Sequence, residues 1–266
     1  MIVSGIDIGS RTTGVAVLRD DRLISTAIIS TGPESAQTAE EGLRQALKDQ
    51  SLSLKDIDYL VATGYGRIMV PFADKIITEI TCHARGAKWL FPSVRTVLDM
   101  GGQDCKVICV EDKGNPVDFA MNDKCAAGTG RFLEIMAELL KFPLEHFCRL
   151  PFQSRNEIRI NSRCAVFAKS EVISLIKGGV QKEDVVAGLH EAVAERVYGL
   201  MRKVGIEKEL VVTGGIAKNP AIVSRIERKV GFKLLIPKEP QIVGALGAAL
   251  LAKENCLQKF CPALSM

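Results

Sequence analysis

The chain predicts an α/β fold built from two duplicated halves, and three observations carry that prediction. The opening stretch, Ile2 to Leu18, places apolar runs on either side of Asp7-Ile8-Gly9-Ser10, which reads as strand, tight turn, strand. The same order returns from Val94 to Val110 around Asp99-Met100-Gly101-Gly102-Gln103, so the Asp-x-Gly turn at position 7 recurs at position 99. Helical patterns and a late buried strand, Leu210 to Thr213, complete an alternation of strands with helices.

With 266 residues, 47% hydrophobic and 25% charged, the chain is sized for one large or two moderate domains with a sizeable core. The net charge of +4 is spread along the sequence, with one Trp and three Tyr, which gives nucleic-acid binding no support. No apolar run reaches about 18 residues, and Met1 leads almost directly into a strand. Neither a membrane span nor a signal peptide is expected, and the predicted location is cytoplasmic. Eight cysteines in that setting point to thiol, metal or redox chemistry rather than a disulfide scaffold.

The first turn gathers an acidic residue at a strand end, a glycine, and the hydroxyls of Ser10, Thr12 and Thr13. Glycine lets a phosphate approach the backbone, N–H groups and hydroxyls face its oxygens, and a carboxylate holds Mg²⁺ or its waters. An ordinary hairpin turn uses the same residue types. Asp20-Asp21 turns into a third strand, Leu23 to Ile29, and a helix follows around Ala39 to Gln50. Strand Ile57 to Thr63 runs into Thr63-Gly64-Tyr65-Gly66-Arg67, read first as a plain turn and second as a ligand or partner contact. Cys82-His83 lies on a helical stretch and reads as packing rather than a metal site.

Beyond the second turn, Cys105, Val107 and Cys109 alternate on one strand face as core residues do, and Asp112 to Pro116 turns into another strand. Thr213-Gly214-Gly215 then offers flat backbone against which a base or ribose can lie, and the Gly- and Ala-rich helix from Val243 to Leu250 is expected to pack tightly on a neighbour. The last dozen residues read as a loose tail, in which Cys256 and Cys261 match no strong metal spacing. No P-loop and no Gly-x-Gly-x-x-Gly opening a βαβ unit is present, so a nucleotide must be held some other way.

Asn122-Asp123-Lys124-Cys125-Ala126-Ala127-Gly128-Thr129-Gly130 places a cysteine at the mouth of a helix marked by Phe132, Ile135, Met136, Leu139 and Leu140. Unpaired N–H groups and the positive dipole end favour a thiolate there. Asn161-Ser162-Arg163-Cys164-Ala165 repeats the arrangement before a helix carrying Val166, Phe167, Ile173, Leu175 and Ile176. Two such cysteines, each behind a basic residue, are candidate ligands or nucleophiles of one site; as small buried residues they would be ordinary.

The two Asp-x-Gly turns, Thr213-Gly214-Gly215 and the small-residue last helix resemble the phosphate loops, adenosine loop and second connecting helix of the acetate and sugar kinase/Hsp70/actin superfamily. With Thr63 to Arg67, Asp123 to Phe132 and Cys164 to Ser174 added, the chain resembles the BadF/BadG/BcrA/BcrD ATPase family, and within it the activators of 2-hydroxyacyl-CoA dehydratases, from about Val3 to Ala252. The resemblance implies subdomain I over 1–93 plus 240–252, subdomain II over 94–239 with both cysteines, a tail over 253–266, and a nucleotide cleft between the subdomains.

It further implies ATP or ADP with Mg²⁺, and a homodimer sharing one [4Fe–4S] cluster held by Cys125 and Cys164 of each copy. The arithmetic agrees, since such a cluster takes four thiolates and each chain shows two suitable loops. By the same resemblance Asp7, with Gly9, Ser10, Thr12 and Thr13, handles Mg²⁺ and the terminal phosphates. Asp99 and Gln103 orient or deprotonate the attacking water, and Gly101 and Gly102 supply backbone donors. Gly128, Thr129 and Gly130 join the binding set, while Gly214, Gly215 and Lys218 line the adenosine pocket.

The implied function is ATP hydrolysis that drives a single electron into a partner metalloprotein such as a 2-hydroxyacyl-CoA dehydratase. The alternative acceptor is a benzoyl-CoA reductase-like or double-cubane cluster protein, and the implied donor is reduced ferredoxin or flavodoxin. Two departures stand out: Lys169 sits where the family often carries an acidic residue, and Asn161-Ser162-Arg163 replaces a more neutral lead-in. Added positive charge beside a cluster favours its reduced form. Rivals from other classes are a small-molecule kinase of the same fold, which needs neither Cys125 nor Cys164, and a nucleotide-switched assembly protein whose cysteines bind zinc.

Overall fold

The structure, a computed structural model, describes residues 1–122, 128–156, 158–160 and 164–260. Strands β1 (Ile2–Ile8), β2 (Thr12–Arg19) and β3 (Arg22–Ser30) form an antiparallel meander, helix α1 (Ser35–Lys48) follows, and β4 (Tyr59–Thr63) and the short β5 (Lys75–Ile76) join parallel on the other side of β1. The resulting order is β3-β2-β1-β4-β5. Helix α2 (Glu79–Leu90) leads to β6 (Thr96–Met100), β7 (Cys105–Val110) and β8 (Pro116–Asn122). Helices α3 (Gly130–Leu140), α4 (Leu144–Phe147), α5 (Ala165–Lys177) and α6 (Lys182–Val204) precede β9 (Leu210–Thr213), and α7 (Pro220–Val230) and α8 (Val243–Phe260) close the chain. The second sheet has the order β8-β7-β6-β9.

The two sheets match strand for strand over four strands. In each, an antiparallel hairpin carries the Asp-x-Gly turn, and a parallel strand lies beside the Asp-bearing strand. Asp7 pairs with Gly14 on β2 and Thr63 on β4, and Asp99 pairs with Lys106 on β7 and Thr213 on β9. The duplication therefore includes Thr63-Gly64, which the sequence offers only as a turn. Gly64 and Gly214 both adopt positive φ, +84° and +79°, and a side chain at either would run into the neighbouring Asp-bearing strand.

Each sheet is covered on both faces, as the apolar runs demand. Ile6, Val15, Leu43 and Leu47 form a core between the first sheet and α1, and Val3, Ala16, Ala245 and Ala249 form another beneath α8. Phe132 and Met136 of α3 and Val185, Leu189 and Val193 of α6 pack under the second sheet, whose other face meets Ile80 and Ala84 of α2. The small residues of α8 do what the sequence predicts. A Cβ on Gly247 would sit 1.7 Å from the Cys82 carbonyl oxygen, one on Gly86 would sit 2.1 Å from the Val243 oxygen, and one on Gly5 would sit 2.1 Å from the Ala245 oxygen. Helix α8 continues to Phe260, eight residues into the stretch read as tail, because Leu251, Ala252 and Cys256 keep its inner face buried. Among the described residues no helix is long and apolar enough to cross a membrane.

Helix α5 forms where the apolar spacing predicts a helix, and its burial is uneven. Val166 and Phe167 are each 70% exposed and Ile173 is 41% exposed, while Ala168 and Val172 face the core.

Candidate active site

A cleft of about 600 Å³ lies between the sheets, and both Asp-x-Gly turns open into it. From the first turn come Asp7, Gly9, Ser10, Arg11 and Thr12; from the second come Asp99, Gly101, Gly102, Gln103 and Asp104. Gly130, Gly214, Gly215 and Lys218 also line it. The topology explains the convergence: each Asp ends the central strand of its sheet, so facing sheets present both strand ends to one crevice.

Several predicted residues have other placements. Thr13 is buried and absent from the lining; its hydroxyl donates to Thr31 Oγ1 at 3.0 Å, and Thr31 donates to the Gly9 carbonyl at 2.8 Å, so Thr13 buttresses the turn from behind. Gly128 and Thr129 lie outside the lining, in the lead-in to α3. Lys218 lines the cleft with its ammonium donating to Glu239 at 2.9 Å and Gln241 at 2.8 Å. Gln241 also reaches Thr12 Oγ1 at 3.3 Å, which links the adenosine-side loop to the first turn.

The centre of the cleft holds two basic side chains whose place there sequence reasoning missed. His83 Nε2 lies 3.6 Å from Asp7 Oδ2 and 3.6 Å from Asp99 Oδ2, so its ring stands between the two turns. The Thr213 hydroxyl donates to Asp99 Oδ1 at 3.0 Å and sits 3.0 Å from His83 Nδ1. With its one proton on the carboxylate, that hydroxyl accepts from Nδ1–H. Burial pulls the His83 pKa down, and the Asp99 and Asp7 carboxylates outweigh it, so the net shift is upward and the imidazolium is favoured. Lys106 reaches Asp99 at 3.5 Å and Asp104 at 2.7 Å. Burial also opposes the charge of Asp99, but His83, Lys106 and Thr213 together hold its carboxyl below the ordinary carboxylate range. Lys106 was legible by counting, since it stands seven residues after Asp99 as Gly14 stands after Asp7. His83 had no such signal.

Backbone bonds tie the second turn to α3. The Gly130 N–H donates to the Gly101 carbonyl at 3.0 Å and the Arg131 N–H to the Gly102 carbonyl at 2.8 Å. Cys125 and the residues 161–163 lie outside the described residues. Cys164 is the N-cap of α5 and is exposed. Of the other described cysteines, Cys82, Cys105, Cys109 and Cys256 are buried and Cys148 is partly buried in the cleft wall. Burial pushes the Cys82 thiol up to about 12 and that of Cys148 to about 11, and raises Cys105, Cys109 and Cys256. Thiols held protonated are poor ligands. Among the described cysteines Cys164 is the exposed one, open to a ligand from outside, while the other five are buried or partly buried.

Residues 4–252 match the family model described as the BadF/BadG/BcrA/BcrD ATPase family. The activator of lactoyl-CoA dehydratase from Anaerotignum propionicum is 43% identical over 97% of this chain and 100% of its own. The structure of the activator of 2-hydroxyisocaproyl-CoA dehydratase from Clostridium difficile with bound ADPNP superposes with a TM-score of 0.92 at 38% identity, covering 100% of this chain and 99% of that one. A ROK hexokinase from Thermus thermophilus, at 17% identity, 96% and 99% coverage and a TM-score of 0.51, shares the fold alone.

Proposed function

The chain belongs to the BadF/BadG/BcrA/BcrD ATPase family, and from that premise we propose that this ATPase is the reductase that activates a 2-hydroxyacyl-CoA dehydratase or a related double iron–sulfur protein. The single observation that carries the reading is the direct backbone connection between the second Asp-Gly turn and the start of α3, five residues beyond Cys125. A change at the phosphate-facing turn is thereby passed to the first residues of α3.

In this reading Asp7 holds Mg²⁺ or its waters, with Ser10 and Thr12 facing the terminal phosphates. Asp99 and Gln103 orient the attacking water, and the Gly101 and Gly102 N–H groups face the transferred phosphoryl group. Positioning and charge stabilisation supply most of the catalysis in such reactions. Lys106 and His83 keep Asp99 ionised and therefore able to accept a hydrogen bond from that water. Gly214 and Gly215 offer backbone to the adenosine, and Lys218, fixed by Glu239 and Gln241, borders that pocket.

Cys125 and Cys164 of two copies would hold a [4Fe–4S] cluster, which supplies one-electron reduction when bound. Two features support a pair of copies: each chain has two suitable cysteines, and Val166 and Phe167 beside Cys164 leave apolar surface exposed for a second chain to cover. Reduced ferredoxin or flavodoxin is the proposed donor, and the cytoplasm the proposed location.

The test is iron and acid-labile sulfide content, with mass in solution, on protein purified without oxygen. Four irons per dimer are expected. Cys125→Ser and Cys164→Ser should each lose the iron while retaining ATP hydrolysis. An iron-free monomer that phosphorylates a small molecule would move the assignment to the kinase reading.

A further inference from the structure

We propose that Arg11 is the residue that distinguishes a nucleoside triphosphate from a diphosphate, exchanging its bond to Glu134 for one to the terminal phosphate. This rests on the ATPase reading above. Arg11 projects from the first turn, between Ser10 and Thr12, and lines the cleft with half of its side chain exposed. Its stem crosses to the other sheet's turn and lies against Gly102, where a Cβ would come within 2.4 Å of Arg11 Cγ. The guanidinium is thus carried over the backbone of the second turn, and its Nη2 reaches Glu134 Oε2 on α3 at 3.0 Å.

That bond is built to be exchanged. The same Glu134 oxygen takes Arg131 Nη1 at 3.0 Å, so Glu134 keeps a cation when Arg11 leaves. Both lysines of the lining are committed: Lys106 is buried between Asp99 and Asp104, and Lys218 is held by Glu239 and Gln241. A planar guanidinium at the rim matches two phosphate oxygens at once, which a carboxylate oxygen already shared with Arg131 does not offer. Exchange would release α3 from the first turn when triphosphate binds and restore the tie when the terminal phosphate departs, so the helix after the cysteine loop would register the nucleotide's length.

The experiment measures the affinities of ADPNP and ADP, with Mg²⁺, for the purified dimer and its variants. Arg11→Gln should weaken ADPNP about tenfold and ADP less than about threefold, as loss of a charge-assisted contact predicts. Arg11→Lys, which keeps the charge without the fork, should fall between and serves if the Gln variant is unstable. Glu134→Gln should tighten ADPNP about twofold to threefold by freeing Arg11. Unchanged discrimination in both Arg11 variants overturns the proposal, as does loss of discrimination in Arg149→Gln alone, since Arg149 also lines the cleft. Failure of the wild-type protein to bind either nucleotide would instead overturn the ATPase reading.

Discussion

The two Asp-x-Gly turns share a backbone and differ in what surrounds the carboxylate. Asp7 is paired across its hairpin with Gly14, which contributes no side chain, and is faced by His83 at 3.6 Å. Asp99 is paired with Lys106 and is reached by Thr213 and His83 as well. Side-chain exposure follows the same split, 15% for Asp7 and 6% for Asp99. Duplication thus supplied two equivalent strand ends, and the residue seven places on separated their chemistry. Asp7 keeps the more open face toward the cleft, and Asp99 is the more closely surrounded by the protein's own donors.

The largest expected consequence is in stability. Asp99→Asn removes the carboxylate that Lys106 and His83 share and leaves them Asp104 and Asp7 as partners, so it should lower the unfolding free energy by about 3 kcal/mol, the low end for a broken buried pair, whereas Asp7→Asn should cost about 1 kcal/mol or less. Equal losses in urea denaturation would end the distinction between the turns. The backbone likeness is tested by Gly64→Ala and Gly214→Ala, which should each cost about 1–3 kcal/mol, because both positions combine positive φ with contact to the Asp-bearing strand. A loss at one and none at the other would show that the second strand pair is not equivalent.

The smallest effect is read in pH, through two buried histidines with opposite shifts. His83, raised by the carboxylates of both turns, contributes stability that is complete below about pH 6.5 and is lost as pH rises through its folded pKa. His190 on α6 sits against the Val186 carbonyl and Asn219, and burial, helped by the Arg225 charge, lowers it to about 4. Its sign is reversed: the unfolded chain binds the proton more readily, so stability falls as pH drops below about 6.5. Relative to wild type, His190→Gln should gain about 1 kcal/mol in unfolding free energy between pH 7.5 and 5.5. No relative gain would remove His190 as the source.

Much of the fold was legible because it is local. An acidic residue, a glycine and flanking apolar runs dictate strand, turn and strand whatever surrounds them, so both hairpins and their repeat could be read directly. The counterpart status of Thr63-Gly64 and Thr213-Gly214 was available in Ala62-Thr63-Gly64 and Val212-Thr213-Gly214, but it requires knowing which strands lie side by side. His83 was not legible, since a histidine between Cys82 and Ala84 on a small-residue helix carries no periodic mark of where the helix points. On α5 the apolar spacing marked the helix, and Val166 and Phe167 are exposed, because periodicity reports a helix without saying which of its apolar residues the chain buries.

The crossing of α2 and α8 carries one more consequence. At Gly86 and Gly247 the helices touch main chain to main chain, with no side chains between them to slide or repack. Such a junction has no layer of side chains over which the helices could slip, so any residue larger than glycine at Gly86 or Gly247 must push α2, which covers the second sheet, away from α8, which covers the first. The distance between the two aspartates is therefore sensitive to a crossing far from either.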